Sequence, residues 1–299
     1  MSDTASPKRP AHPTACEKRQ TLRRALEAGF FGAPGVFDGI SARVADAENP
    51  KALYMTGYGT VASYLGLPDA GLATYTDMVG RVAMIAQATC APLIADADTG
   101  YGGLLNVEHT VRGYEIAGAS AIQLEDQEIP KKCGHTPGRR VVPSEEMQLK
   151  IRVAKDSRAS DDFLIIARTD ARTEHGIDEA LRRAEAYVKA GADILFIEAP
   201  ESEKEMETIC AAGRAVVGEH GRGKTPVLSG ERLAEMGMRS RFIRRRVSAA
   251  GAAMRSVYGH IVQTGTSAVL TELADFQTFG RLMGFEHVWE FDRHYAPET

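Results

Sequence analysis

Residues 131–135 (Lys-Lys-Cys-Gly-His) surround one thiol with the groups needed to activate it. The ammonium groups of Lys131 and Lys132 and the imidazole of His135 lie within two positions of Cys133. Cationic neighbours favour the thiolate, which is the reactive form of cysteine. Gly134 places no side chain beside the sulfur, so a ligand can approach it closely. The pentapeptide predicts a catalytic cysteine with Lys131 and His135 beside it.

Two acidic pairs precede this thiol. Asp96 and Asp98 are two positions apart, so on a strand both would face the same side. Two carboxylates on one face of a buried strand are unfavourable without a cation, and magnesium prefers such oxygen ligands. A solvated strand end with a turn at residues 99–100 would explain one aspartate better than two, so we favour a metal. Glu125 and Asp126 are less specific, since such a pair can also end a strand with no metal.

The composition is that of a globular protein with an acidic balance. The 299 residues are 43% hydrophobic and 25% charged, with a net charge of −4 and a pI near 6.1. These values allow a large core and give no general reason to expect nucleic-acid binding. The cysteines are widely spaced, which is typical of reduced thiols in the cytoplasm. No apolar run is long enough to cross a bilayer, and residues 1–20 lack the apolar core of a signal peptide.

Short apolar runs alternate with amphipathic segments, which predicts repeated βα units around a parallel sheet. The predicted strands are 35–38, 52–56, 92–98, 121–126, 163–170 and 193–199. Polar residues fall at their carboxyl ends: Thr56, Asp96, Asp98, Glu125, Asp126, Arg168, Asp170 and Glu198. Barrel enzymes carry their active sites at that face. We therefore predict a (β/α)8 TIM-type barrel at 21–265, after a flexible arm at 1–20 and before a C-terminal helical extension at 266–299.

Two of these residues also allow an interpretation without function. Most unpaired cysteines are small buried hydrophobic residues, but the charges around Cys133 argue against burial. The prolines and glycines of the 128–142 loop predict a mobile lid that covers an active site. Arg168 could form a structural ion pair with Asp170 or bind a substrate carboxylate.

Four ordered motifs resemble the isocitrate lyase and phosphoenolpyruvate mutase superfamily. They are Asp-Ala-Asp-Thr-Gly-Tyr-Gly at 96–102, Gln-Leu-Glu-Asp-Gln at 123–127, Lys-Lys-Cys-Gly-His at 131–135 and Ile-Ala-Arg-Thr-Asp-Ala at 166–171. The third is similar to the loop of 2-methylisocitrate lyases, dimethylmalate lyases and carboxyphosphonoenolpyruvate mutases. The resemblance implies a magnesium-dependent (β/α)8 barrel, usually tetrameric, with its last helix exchanged between subunits.

The resemblance also implies roles for individual residues. Asp96, Asp98 and Glu125 would hold magnesium, with manganese as a possible substitute, largely through water. The substrate would be bound by Tyr54, Thr56, Gly57, Tyr58, Asp69, Gly134 and Arg168. Cys133 would be the catalytic acid or base, and Glu198 would support His135 or the thiol.

Two segments depart from the family pattern. Where the family has a loop resembling Ala-Asn-Met-Val-Glu-Gly-Gly, this chain has Gly-Glu-His-Gly-Arg-Gly at 218–223. The next strand should be apolar, yet residues 239–246 hold five arginines, which cannot fill a barrel interior. Taken literally, the arginine run is a basic surface for nucleic acid. Codons for the family residues give both observed segments when they are translated in a shifted frame. We therefore hypothesise frame errors at 217–223 and 238–246.

We predict a magnesium-dependent lyase that cleaves a carbon–carbon bond in a small 2-hydroxy di- or tricarboxylate, of the 2-methylisocitrate or alkylmalate type. Cleavage beside a hydroxyl leaves an enolate-like carboxylate, whose charge needs magnesium and cationic donors. Its carbon then needs a proton from a positioned thiol. Alternatives on this scaffold are a phosphonomutase and an oxaloacetate-type decarboxylase. An alternative of another class is a non-catalytic or nucleic-acid-binding barrel. The expected state is a cytoplasmic homotetramer with a small carboxylate substrate and neither nucleic acid nor membrane as a partner.

Overall fold

Eight parallel strands form a closed barrel in the computed structural model, in the order of the chain. The structure describes residues 12–133, 138–211, 215–218, 225–243, 246–267 and 273–296. The strands are β1 (Phe31–Val36), β2 (Leu53–Met55), β3 (Leu93–Asp96), β4 (Ala121–Glu125), β5 (Leu164–Thr169), β6 (Ile194–Ile197), β7 (Ala215–Gly218) and β8 (Ser240–Ile243). The predicted (β/α)8 barrel is confirmed. In the part of the chain that is described, no helix is long and apolar enough to cross a membrane.

The helices of the described residues are α1 (Ala15–Ala28), α2 (Gly39–Asp46), α3 (Gly57–Leu65), α4 (Tyr75–Ala88), α5 (Leu104–Ile116), α6 (Ser144–Ser157), α7 (Ala171–Ala190), α8 (Glu203–Ala211), α9 (Gly230–Glu235), α10 (Arg246–Thr264), α11 (Phe276–Leu282) and α12 (Phe285–Tyr295). Helix α1 precedes β1, helices α2 to α9 lie between successive strands in the chain, and helices α10 to α12 follow β8. All six strands predicted from the sequence are present, each shifted by a few residues at most. The sequence did not predict β7, and it did not predict that the arginine-rich segment forms β8.

Side chains alternate between the barrel interior and the helix layer along each strand. The rings of Tyr54 and Phe242 stack 4.4 Å apart, although they come from strands that are not neighbours in the sheet. Phe196 meets Phe242 edge-on at 5.5 Å. These three rings therefore fill the interior. The same alternation brings Asp96 on β3 beside Gln123 on β4, and Glu125 on β4 beside Arg168 on β5. The polar groups thus lie at the carboxyl end of the barrel, next to the three aromatic rings that fill its interior.

Arg241, the single arginine within β8, does not enter the barrel interior. Ser240 and Phe242 are fully buried, whereas Arg241 is half-buried and its Nη1 donates to the carbonyl of Leu228 at 2.6 Å. A period of two explains why this strand forms, because only its alternate residues must be small or apolar. The segment therefore forms a barrel strand without an arginine filling the interior, and the expected apolar character is met at Phe242. Residues 219–223 and 244–245 of the two departing segments lie outside the described residues.

Helix α1 begins inside the segment expected to be a flexible arm. Thr14 caps it, accepting from the backbone N–H of Glu17, whose carboxylate accepts from the N–H of Thr14. Lys18 is buried, and its Nζ donates to the carbonyls of Ala86 and Thr89. Together with buried Leu22, these contacts attach α1 to the barrel, so residues 14–20 are not part of a flexible arm.

The chain divides into two compact units. Thr14–Ser248 contains the barrel, and the second unit comprises Met1–Pro13 with Ala249–Thr299. Most of α10 belongs to the second unit, together with α11 and α12. Within α12, the rings of Phe291 and Tyr295 are tilted against each other, with centroids 4.5 Å apart.

Candidate active site

Asp96 and Asp98 lie at the carboxyl end of β3 and are almost fully buried. One oxygen of Asp96 accepts from the backbone N–H of Gly57 at 3.2 Å and from the Tyr54 hydroxyl at 3.3 Å. The other oxygen accepts from the backbone N–H of Asp98 at 3.1 Å. A Cβ at position 57 would come within 2.9 Å of the Asp96 carboxylate, so this approach requires glycine. The Asp96 carboxylate is therefore held in place by the residues that follow β2 and β3 and by Tyr54 on β2.

The ammonium group of Lys131 lies between Asp98 and Asp69. Its Nζ is 2.6 Å from Asp98 Oδ1 and also forms an ion pair with Asp69 Oδ1. Only 4% of Lys131 is exposed, although the neighbouring Cys133, whose burial the surrounding charges argued against, is half-buried. An ammonium group can be buried when carboxylates surround it. Its charge is therefore directed to the acidic cluster, although the sequence had predicted it as a partner of the Cys133 thiol.

Burial raises the pKa of the Asp98 carboxyl to about 6, with Lys131 opposing the rise and Asp96 and Asp69 adding to it. Burial alone would lower the pKa of Lys131, but Asp98, Glu125 and Asp69 raise it well above its usual range. Lys131 therefore remains charged. The cluster of Asp69, Asp96, Asp98 and Lys131 holds three acids and one base, which leaves it short of positive charge.

This cluster fits a hard divalent cation bound largely through water. Among the described residues, no group of three His, Cys, Asp or Glu side chains is arranged to hold a metal directly. Mg²⁺ usually keeps several waters and takes one or two carboxylates from the protein. Asp96 and Asp98 meet that requirement. Glu125, the third expected ligand, has Oε2 3.3 Å from Arg168 Nη1 and accepts from Gln127 at 3.0 Å.

Arg168 lies at the end of β5 among three carboxylates. Its Nε and Nη2 donate to both oxygens of Asp170 at 2.9 and 3.0 Å. Glu125 lies 3.3 Å away on one side, and Glu198 lies 3.7 Å away on the other. Burial alone would lower the pKa of the guanidinium, but these three carboxylates raise it well above its usual range. The structure thus contains the ion pair with Asp170, and a substrate carboxylate would have to share Arg168 with it.

Asp126 is a structural acid on the other face of β4. Its carboxylate accepts from the Thr169 hydroxyl at 2.7 Å, the backbone N–H of Asp170 at 2.9 Å and the Tyr187 hydroxyl at 2.8 Å. Arg183 Nη1 lies 3.2 Å away. These contacts join β4, β5 and α7 behind the barrel wall. Of the pair Glu125–Asp126, only Glu125 therefore reaches the site.

The loop that carries Cys133 contacts both the acidic cluster and the carboxylates around Arg168. Cys133 is half-buried, and its backbone N–H donates to the carbonyl of Asp69 at 3.1 Å. Gln127 and Val141 form an antiparallel bridge that closes the base of the loop. On the returning limb, Arg139 Nη1 donates to Asp170 at 2.6 Å. His135 and Gly134, both predicted to act at the site, lie outside the described residues.

The remaining predicted substrate ligands differ in exposure. Thr56 is buried, and its hydroxyl caps α3 by accepting from the backbone N–H of Gly59 at 3.1 Å. Tyr58 is half exposed. Tyr54 is fully buried, and its hydroxyl donates to Gln123 at 2.8 Å and to Asp96, so it lies under the acidic cluster. Glu198 is fully buried, and its backbone N–H donates to Thr169.

A cavity of about 260 Å³ opens beside the acidic cluster, lined among others by Asp98, Lys131, Tyr75, Tyr101 and His109. The sequence analysis did not single out Asp170, Gln127 or Arg139 as site residues. Asp170 and Gln127 lie in motifs that it quoted, so their position beside Arg168 and Glu125 was a usable signal. Nothing in the sequence distinguishes the buried Arg139 from the exposed Arg140.

Comparison with known proteins gives consistent similarities. The profile of the phosphoenolpyruvate phosphomutase family matches residues 22–269. A 2,3-dimethylmalate lyase of Eubacterium barkeri is 46% identical over 268 residues, which span 88% of this chain and 93% of that protein. A structure of oxaloacetate acetylhydrolase in complex with the inhibitor 3,3-difluorooxalacetate has a TM-score of 0.88 and 34% identity, covering 94% of this chain and 98% of that one. A phosphonopyruvate hydrolase complex with oxalate and Mg²⁺ has a TM-score of 0.83 and 30% identity, covering 93% and 99%.

Proposed function

Because this chain is an enzyme of the isocitrate lyase and phosphoenolpyruvate mutase superfamily, we propose that it is a magnesium-dependent carbon–carbon lyase. Its substrate would be a small 2-hydroxy di- or tricarboxylate of the alkylmalate or 2-methylisocitrate type. The observation that carries the proposal is that the backbone of Cys133 and the side chain of Lys131 both contact the acidic cluster. The backbone of Cys133 is bonded to Asp69, and the adjoining Lys131 bridges Asp69 and Asp98.

The acidic cluster would hold the metal and one end of the substrate. Asp96 and Asp98 are the proposed metal ligands, with water completing the coordination and Glu125 behind them. Bound magnesium would stabilise negative charge on the substrate oxygens at the bond that breaks. Manganese also suits such oxygen ligands. The backbone at Thr56 and Gly57 adjoins Asp96 and is the proposed contact for the carboxylate at this end.

Arg168 is the proposed partner of the second carboxylate. Asp170 holds two edges of the guanidinium, so its plane is fixed before the substrate arrives. Glu125 and Glu198 are weakly placed competitors at 3.3 and 3.7 Å. The N–H groups of Arg168 that face Glu125 and Glu198 could therefore donate to a substrate carboxylate while Asp170 holds the guanidinium in place.

Cys133 would supply the proton that completes the cleavage. The substrate hydroxyl would lose its proton to water as its oxygen forms the C=O bond of the 2-oxoacid. The adjoining carbon–carbon bond would break, and its electron pair would pass to the carbon that bears the carboxylate of the departing product. The thiol would protonate that carbon, and the thiolate would regain a proton from water before the next turnover. Glu198 and His135 are the proposed supports of the thiol. The products are a 2-oxoacid and a saturated carboxylate.

Product analysis across a substrate panel tests this proposal. The purified enzyme is incubated with 2,3-dimethylmalate, 2-methylisocitrate, isocitrate, oxaloacetate and phosphonopyruvate, with magnesium or with a chelator. We expect release of pyruvate or glyoxylate from a 2-hydroxy acid, lost on chelation and restored by magnesium or manganese. If none of the 2-hydroxy acids is cleaved, the lyase proposal fails.

Oxaloacetate hydrolysis is the second candidate. The similarity to oxaloacetate acetylhydrolase, with a TM-score of 0.88, favours it. Formation of oxalate and acetate from oxaloacetate, with no cleavage of the alkylmalates, would select this activity. Consumption of phosphonopyruvate would select the phosphonate chemistry instead.

We also propose that the chain acts as a cytoplasmic homotetramer. None of the four cysteines, which all lie among the described residues, forms a disulfide, as in proteins of a reducing compartment. In the C-terminal unit, α12 exposes Trp289 and Phe291, and large exposed apolar side chains mark contacts with other chains. Light scattering after size-exclusion chromatography should give a mass of four chains, and a monomer would refute the assembly.

A further inference from the structure

The thiol loop is held by one buried side chain on each limb. On the first limb, the amide of Gln127 both accepts from the backbone N–H of Lys132 at 3.0 Å and donates to its carbonyl at 2.9 Å. The same Nε2 donates to Glu125 Oε1 at 3.0 Å. Gln127 is 1% exposed, its bond to Glu125 is buried, and its two bonds to the Lys132 backbone are partly buried. Its amide therefore fixes the residue that precedes Cys133.

On the second limb, the buried side chain of Arg139 attaches the loop to the end of β5 and to α7. It is 3% exposed, and its Nη1 and Nη2 donate to Asp170 at 2.6 Å and to the Thr173 hydroxyl at 2.5 Å. Its neighbour Arg140 is 77% exposed at the side chain and pairs with Glu128 at 2.7 Å. The adjacent arginines thus differ in environment although they are identical in type.

Both attachments lead to the same guanidinium. Gln127 bonds Glu125, and Glu125 lies 3.3 Å from Arg168. Arg139 bonds Asp170 Oδ1, which also accepts from Arg168. A ligand that moves Arg168 away from Glu125 or Asp170 would therefore change the hydrogen bonds of both Gln127 and Arg139, because charged groups in a buried network are coupled.

We propose that Gln127 and Arg139 are positioning residues that set the place of Cys133 relative to Arg168. Neither touches the reacting atoms; each acts through a carboxylate beside Arg168. The role in turnover rests on the proposed function, whereas the placement of the thiol does not. A displacement of about 1 Å at a reacting group can lower the rate about 100-fold.

The test uses Gln127→Glu and Arg139→Lys, with Arg140→Lys as the matched control. Gln127→Glu keeps the shape of the side chain but sets an acceptor against Glu125 and against the Lys132 carbonyl. Arg139→Lys keeps the charge but loses the fork that spans Asp170 and Thr173. Gln127→Asn, which keeps the amide but shortens the side chain, serves if Gln127→Glu does not fold. Thermal unfolding confirms the fold of every variant.

Two measurements are made on each variant. The first is the alkylation rate of Cys133 as a function of pH, by mass spectrometry, with the exposed Cys90 of the same molecule as reference. We expect the pH profile of Cys133 to shift in the Gln127 and Arg139 variants and to be unchanged in Arg140→Lys. The second is steady-state kinetics on the substrate found above, where kcat should fall about 10- to 100-fold with KM changed less.

Unchanged Cys133 profiles together with normal kcat in both variants would overturn the inference. A shift in Arg140→Lys equal to that in Arg139→Lys would also overturn it, because the effect would then be one of general loop charge. If the wild-type enzyme cleaves no 2-hydroxy acid, the proposed function fails, and a shifted alkylation profile still supports the placement of the thiol by these residues.

Discussion

Replacing Lys131 with methionine should destabilise the metal-free protein far more than the same change at Lys132. Lys131 is 4% exposed and its Nζ is 2.6 Å from Asp98 Oδ1, with Asp69 on the other side. At an effective dielectric constant of about 20, one such pair corresponds to roughly 6 kcal/mol of Coulomb energy before desolvation is subtracted. Removing one partner of a buried ion pair costs about 3–5 kcal/mol net. Methionine retains most of the volume, so little of the loss should come from a cavity.

The loss should depend on pH in a defined direction. The pKa of Asp98 is already about 6, and loss of Lys131 should raise it further. In acid, Asp98 takes up a proton and the uncompensated charge disappears. We therefore expect the full loss near pH ~8 and a loss smaller by about 1–3 kcal/mol near pH ~5.

Urea unfolding of both variants with a chelator present, at several pH values, checks this. Lys132 is exposed and its Nζ donates to the Gly138 carbonyl, so Lys132→Met should change stability by less than about 0.5 kcal/mol. Equal unfolding midpoints for the two variants at every pH would refute the assignment of Lys131 as the internal cation of the acidic cluster.

Three further predictions follow from the site. Because burial raises the pKa of Asp98 to about 6, the folded metal-free protein binds this proton more tightly than the unfolded chain does, and its free energy of unfolding should fall as the pH rises from about 4 to about 6. Magnesium affinity, measured by calorimetry, should rise over the upper part of that range. A stability and an affinity that do not change with pH would contradict these two expectations. Cys133→Ser should lower kcat about 10²–10⁴-fold with substrate binding retained, whereas Cys90→Ser should not, and a near-normal Cys133→Ser enzyme would remove the thiol from the mechanism. Resequencing the gene should give family-like residues at 217–223 and 238–246, and a clean read of the present residues would end the frame-error hypothesis.

The sequence alone predicted the barrel, which the structure confirms, and it predicted that several polar residues lie at one rim of it. The two-residue spacing of Asp96 and Asp98 predicted both carboxylates on one face of a strand, but β3 ends at Asp96, and Asp98 follows it with a φ of 49°. The order of strands and helices was enough to predict that the strand ends meet at one rim. For the same reason Arg168 and Glu198 could be assigned to that rim, because each ends an apolar run.

Only the tertiary structure decided how these groups are paired. The sequence left Glu125 and Asp126 equivalent, and the register of β4 against β5 turned Glu125 inward to Arg168 and Asp126 outward to Tyr187. It also brought Lys131 to Asp69, a partner far away in the chain. Sequence spacing reports which residues are near along the backbone, whereas the lowest free energy for a buried charge depends on which opposite charges other segments bring to it.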